Sequence, residues 1–112
     1  MKFPVMAISS ILHRISGVVL FFSLPVWIWL LGQSLQSAEA FAEMQTCLQS
    51  LAGKLFLFVA LSALAYHIVA GIKHLIMDMG FGETLAGGRI LSSLTLLVSF
   101  AIIAAIGVCI LW

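Results

Sequence analysis

Charged residues are sparse along this chain, and the gaps between them predict its elements. No Asp, Glu, Lys or Arg lies between Arg14 and Glu39, between Lys54 and Lys73, or after Arg89. Each gap holds an apolar stretch close to the ~20 residues that a bilayer core requires. The shortest, from Leu55 to Ile72, rises about 27 Å at ~1.5 Å per residue, just enough to cross. A segment in lipid must satisfy its own backbone hydrogen bonds, so each stretch is expected to be a helix. The spans are placed at residues 5–35, 53–77 and 89–112 of a single anchor domain, 1–112, giving an all-α membrane protein with three transmembrane helices. Pro25 falls inside the first span and is expected to kink it, which membrane helices tolerate. Trp27, Trp29 and Trp112 fall toward one side, where an interfacial aromatic belt would sit.

Composition agrees. The chain is 63% hydrophobic and 8% charged, whereas a soluble domain carries about 25% charged residues, so charge is too scarce to coat a surface facing water. A net charge of +1 without a basic stripe or arm gives no reason to expect nucleic acid. A cleaved signal segment ending at Ala38-Glu39-Ala40 is not expected, because Ile15 to Leu35 exceeds the usual signal core of about 7–15 apolar residues. Basic residues set the expected orientation. Lys2 and Arg14 flank the first span and Lys73 and Arg89 the loop between the second and third, while the loop from about Gln36 to Gly53 carries Glu39 and Glu43. The amino terminus and second loop should face the cytoplasm and the carboxyl terminus the outside. Cys47 and Cys109 share a side but show no CxxC, CxxCH or metal-ligand spacing, and read as unpaired small residues. Gly80 to Gly88 reads as a turn-rich loop, since it lacks the GxxxxGK[ST] pattern of a phosphate cradle.

The candidate chemistry begins on the second span. Ala60, Ala63, His67, Ala70 and His74 alternate in steps of three and four and share one helical face, with Gly71 beside it. Small residues on a membrane helix let another body approach the backbone. That body is either another helix or something flat, such as a porphyrin. His67 lies well inside the span, roughly 10 Å along the axis from His74. An ionisable residue at that depth is costly and points to function. Neutral imidazole ligates heme iron through one ring nitrogen, and it also hydrogen-bonds to neighbouring helices; spacing alone leaves both readings open. The spans contain no Asp or Glu, which argues against a small ion transporter.

A second constellation, Ser10-Ile11-Leu12-His13-Arg14-Ile15-Ser16-Gly17, opens the first span. Ser10 and Arg14 are four apart and share a face, offering a hydroxyl and a fixed cation to a carbonyl or a carboxylate. Taken alone, an interfacial Arg14 more often anchors the helix by reaching lipid headgroups. If His67 binds heme iron, His13 and His74 are expected to sit about 10 Å too shallow to face it across the ring. A six-coordinate heme would therefore need its other histidine from another subunit, and three short helices also do not easily enclose a macrocycle.

Together the two constellations resemble the cytochrome b large membrane-anchor subunit of succinate dehydrogenase, respiratory complex II. Members carry S-x-x-H-R-x-[ST]-G at the start of the first helix, here Ser10 to Gly17. They also carry H-x-x-x-G-x-[RK]-H-[LM]-x-x-D at the end of the second, here His67 to Asp78. The likeness spans nearly the whole chain, including Phe3-Pro4. Members usually begin with a longer amino-terminal stretch, often Arg-Pro-Leu-Ser-like, and Lys73 stands where Arg is commoner. The resemblance implies a complex of flavoprotein, iron–sulfur protein and two membrane anchors in a bacterial inner membrane, with no complete active site in this chain. Heme b would lie between the anchors, with ubiquinone reduced against the iron–sulfur subunit. By position, His67 would be an axial iron ligand, Ser10 and Arg14 would line the quinone pocket, and His13, Arg14 and His74 would lie near the heme propionates. Asp78 would shape the cytoplasmic surface that meets the iron–sulfur subunit. The anchor of a fumarate reductase is the nearest alternative, and a purely structural helical protein the more distant one.

Overall fold

The computed structural model describes residues 5–82 and 84–112; Lys2 and Phe3-Pro4, used above for orientation and resemblance, lie outside the described residues. The chain forms four helices: α1 Val5–Ser34, α2 Ala38–Gln49, α3 Leu51–Asp78 and α4 Leu85–Leu111. Of these, α1, α3 and α4 are long and apolar enough to cross a membrane. They pack side by side in a body measuring 55 × 27 × 24 Å. α1 runs unbroken through Pro25.

Two segments depart from expectation. Much of the loop from Gln36 to Gly53 is the short helix α2. It starts where the Ser37 hydroxyl accepts the Ala40 N–H at 3.0 Å, with Glu39 in the first turn to meet the positive helix end. Ser50 then caps α3 by accepting the Gly53 N–H at 3.2 Å. The second departure is the glycine-rich stretch, only part of which is a turn. Gly80 and Gly82 take positive φ values of 93° and 69°, a region that glycine enters without a Cβ clash. Thr84 then accepts the Gly87 N–H at 3.0 Å and α4 is under way, so Gly87 and Gly88 are helical. The third span therefore begins before Arg89, and that arginine lies inside the helix.

What the helices bury is small and polar. The inward residues are Ser9, Ser16, Ser23 and Leu30 of α1, Ala60, Tyr66, Ala70 and Lys73 of α3, and Gly88, Ser92, Thr95 and Ser99 of α4. Large apolar side chains point outward, Phe22, Leu97 and Phe100 among them. The arrangement follows from the solvent: lipid is as apolar as leucine, so helices gain by close backbone approach and by hydrogen bonds, not by hiding hydrocarbon. Ser16 and Ser23 turn their hydroxyls back onto the carbonyls of His13 and Leu20, both at 2.7 Å.

One polar knot joins all three spans. The Tyr66 hydroxyl donates to the Ser9 carbonyl at 2.7 Å. The Lys73 ammonium donates to Ser9 Oγ at 3.0 Å and reaches Ser92 Oγ at 3.5 Å. Lys73 is 5% exposed; it is not the loop-flanking charge that its place in the sequence suggested. Ser92→Leu should therefore destabilise the bundle, by about 1–3 kcal/mol from overpacking alone. Phe100→Leu, on the outward surface, should be close to neutral. Thermal denaturation of the assembled complex in detergent compares the two, and equal midpoints would show that the inward face is not tightly packed.

Candidate functional site

Beside this knot, α1 and α3 present a flank that carries the predicted site residues. The box from Ser10 to Gly17 is not at the start of α1. Val5 already belongs to the helix, so His13 lies about 12 Å along it at ~1.5 Å per residue. Helix α3 runs the opposite way and brings His67 to the same level. The His13 and His67 rings stack face to face, with centroids 4.2 Å apart and planes 7° from parallel. His74 joins them, its centroid 5.1 Å from that of His13 and tilted by 58°. The expectation that His13 lies about 10 Å shallower than His67 is thus corrected: α1 starts at Val5 as expected, but its alignment against antiparallel α3 sets the two rings side by side.

Gly17 makes this proximity possible. A Cβ placed on Gly17 would lie 3.2 Å from His67 Cε1, tighter than an ordinary contact. On the other helix, a Cβ on Gly71 would lie 3.9 Å from His13 Nε2. Each histidine thus faces a glycine of the opposite helix. The hydrogen bonds described for the His67 ring fall on Nδ1, which lies 3.1 Å from Ser16 Oγ and 3.3 Å from the His13 carbonyl oxygen.

The small face of α3 divides between the two roles open to it. Ala60 and Ala70 are buried among the helices, so at those positions the small side chain serves helix packing. His67 and His74 are half-buried at the edge of that face. On α1, Ser9 turns inward to Tyr66 and Lys73 while its neighbour Ser10 is half-buried and Arg14 exposed. Asp78 is exposed at the last turn of α3.

The donor set fits a heme in part. It supplies one anchored imidazole and two further imidazoles in one cluster, and an exposed guanidinium, that of Arg14, on the residue next to His13. It does not supply an enclosure: among the described residues none of the principal grooves is lined by a histidine. A macrocycle seated here would need a second protein surface over it.

Sequence reasoning missed Tyr66, Ser16 and the inward turn of Lys73. Tyr66 precedes His67 directly, and a tyrosine inside a span carries a hydroxyl that wants a partner. Ser16 stood within the quoted box with no role attached. For Lys73 the signal was its residue type within a span; its direction depends on Ser9 and Ser92, which are distant in sequence.

The family described as succinate dehydrogenase/fumarate reductase transmembrane subunit matches residues 1–106. A succinate dehydrogenase cytochrome b556 subunit of Coxiella burnetii is 46% identical over 107 residues, covering 95% of this chain and 86% of that protein. One from Paracoccus denitrificans is 34% identical over 110 residues, covering 88% of this chain and 85% of that protein.

Proposed function

The chain belongs to the succinate dehydrogenase/fumarate reductase transmembrane subunit family, and from that premise we propose that it anchors a succinate:quinone oxidoreductase in a bacterial inner membrane, gives one axial imidazole to a heme b shared with a second anchor subunit, and helps to form a ubiquinone-reduction site. The observation that carries this reading is the gathering of His67, His13 and His74 between α1 and α3, at the turns of α1 that also carry Ser10 and Arg14.

His67 is assigned to the iron because its ring is the one anchored at Nδ1, by Ser16 and the His13 carbonyl, about 16 Å along α3 from Asp78 at ~1.5 Å per residue. A dry site of that depth favours a neutral nitrogen ligand over a charged one. His13, His74 and Arg14 are assigned to the propionates, whose negative charge their ring N–H and guanidinium groups suit. When bound, the heme supplies a one-electron redox centre within the bilayer. Ser10 and Arg14 are assigned to the quinone, to whose oxygen they donate hydrogen bonds. Electrons come from succinate through a flavoprotein and an iron–sulfur subunit, which meets the anchor at the surface bearing Asp78. The second anchor supplies the other iron ligand and the missing wall. A pyridine hemochrome spectrum of the purified complex tests this reading: protoheme that copurifies with the chain supports it, and a heme-free, fully active complex would end it.

The reading also sets a topology, amino terminus cytoplasmic and carboxyl terminus outside. A reporter active only in the periplasm should be active when fused after Trp112 and silent when fused near Gly82. The opposite pattern in stably expressed fusions would invert the assignment and move the quinone site to the wrong face.

A further inference from the structure

We propose that Ser16, together with the backbone carbonyl of His13, selects the tautomer of His67, holding the proton on Nδ1 and leaving Nε2 as the nitrogen that meets iron, with Gly17 as the seat of the ring. The proposal deepens the heme reading and rests on it.

A carbonyl oxygen only accepts, so the 3.3 Å approach between His67 Nδ1 and the His13 carbonyl requires the nitrogen to donate. The Ser16 hydroxyl has one proton, and that proton goes to the same His13 carbonyl at 2.7 Å. Toward His67 Nδ1, at 3.1 Å, Ser16 therefore offers a lone pair. Two acceptors converge on one nitrogen, which must carry the hydrogen. A neutral imidazole protonated at Nδ1 has its free lone pair on Nε2. Ser16 is itself buried, so water does not compete for this contact. An acceptor on the remote ring nitrogen also makes the ligating nitrogen more basic and fixes the ring plane. Gly17 completes the arrangement, because a Cβ there would lie 3.2 Å from His67 Cε1 and push the ring off the axis that Ser16 defines. Ser16 and Gly17 are thus positioning residues for the iron ligand, built into the same turn of α1.

The test compares Ser16→Thr with Ser16→Val in the assembled complex. The two side chains have nearly the same volume, and only threonine keeps the hydroxyl. Ser16→Thr, which adds the same volume and keeps the hydroxyl, is the reference. Ser16→Val should lose heme roughly ten- to a hundredfold faster, as loss of such an outer partner does at other metal sites. The heme midpoint potential should be higher in Ser16→Val than in Ser16→Thr, since a less basic ligand stabilises the oxidised iron less. Gly17→Ala should alter the electron paramagnetic resonance g-values while Ser16 is intact. If Ser16→Val does not assemble, Ser16→Ala, which adds no volume, takes its place against the parent. Identical heme loss and potential for the hydroxyl-bearing and hydroxyl-free variants would overturn the proposal, provided that His67→Ala removes the low-spin signal. If His67→Ala leaves that signal intact, the iron assignment itself fails, and the two failures are told apart.

Discussion

His67→Ala should abolish the low-spin cytochrome spectrum of the assembled complex, the largest effect expected of any single substitution in this chain. The change removes the imidazole that Ser16 and the His13 carbonyl anchor, and alanine offers no nitrogen in its place. Burial sharpens the loss, since a dry membrane site gives water poor access as a substitute ligand. His13→Ala should behave differently, although its ring lies 4.2 Å from that of His67. Its backbone carbonyl, which accepts from His67, survives the substitution, so the low-spin signal should persist with a shifted potential. His74→Ala, further along the cluster, should do the same. Reduced-minus-oxidised spectra of the three variants decide the matter. An unchanged spectrum in His67→Ala with a lost one in His13→Ala or His74→Ala would transfer the ligand to the other histidine.

Ser10→Ala and Arg14→Leu should each cripple quinone reduction while leaving heme content and succinate oxidation with a dye that bypasses quinone largely intact. A quinone oxygen gains negative charge as electrons arrive. A nearby hydroxyl and guanidinium therefore bind the charged form more strongly than the neutral one, and only such a difference raises turnover. Each lost hydrogen bond to a charged group should cost about 1.5–3 kcal/mol, or roughly ten- to a hundredfold in rate. The structure adds a reason to expect a clean separation. Ser9, not Ser10, ties α1 to Tyr66 and Lys73, and Arg14 is exposed, so neither substitution touches the knot that joins the spans. Quinone-linked and dye-linked activities are to be compared in the same membranes. If both fell together, Arg14 would be holding subunits in place and the pocket would lie elsewhere.

The spans were legible because membrane helices announce themselves by the absence of charge. The same rule placed the start of the third span one turn too late. Arg89 marks the expected boundary, yet Thr84 caps α4 and the arginine lies inside it. The first helix starts where expected, at Val5; the depth of His13 is what escaped, because it depends on how α1 aligns against α3. Helix α2 was hidden for another reason: it is short and mixed in character, yet Ser37 and Glu39 carried a capping signal that a search for apolar runs passes over. Of the site, the residue types and their spacing could be read along each helix separately. The stacked rings, the Ser16 contact and the inward Lys73 depend on how antiparallel helices align, and nothing within either box encodes that alignment.

The seam of small and hydroxyl-bearing residues changes what counts as a conservative exchange during divergence. On α1 the inward positions Ser9, Ser16, Ser23 and Leu30 recur every seventh residue. A swap of Leu, Ile, Val or Phe on the outward surface leaves hydrocarbon against lipid and can drift freely. Valine for serine on the inward side, a mild change by volume, forces backbones apart and strands a donor or acceptor. Distant homologues of this chain should therefore be aligned by their serines and glycines, with the hydrophobic residues left to vary. A scoring scheme tuned to soluble proteins, in which the apolar core is the part that is kept, would weight these sequences inside out.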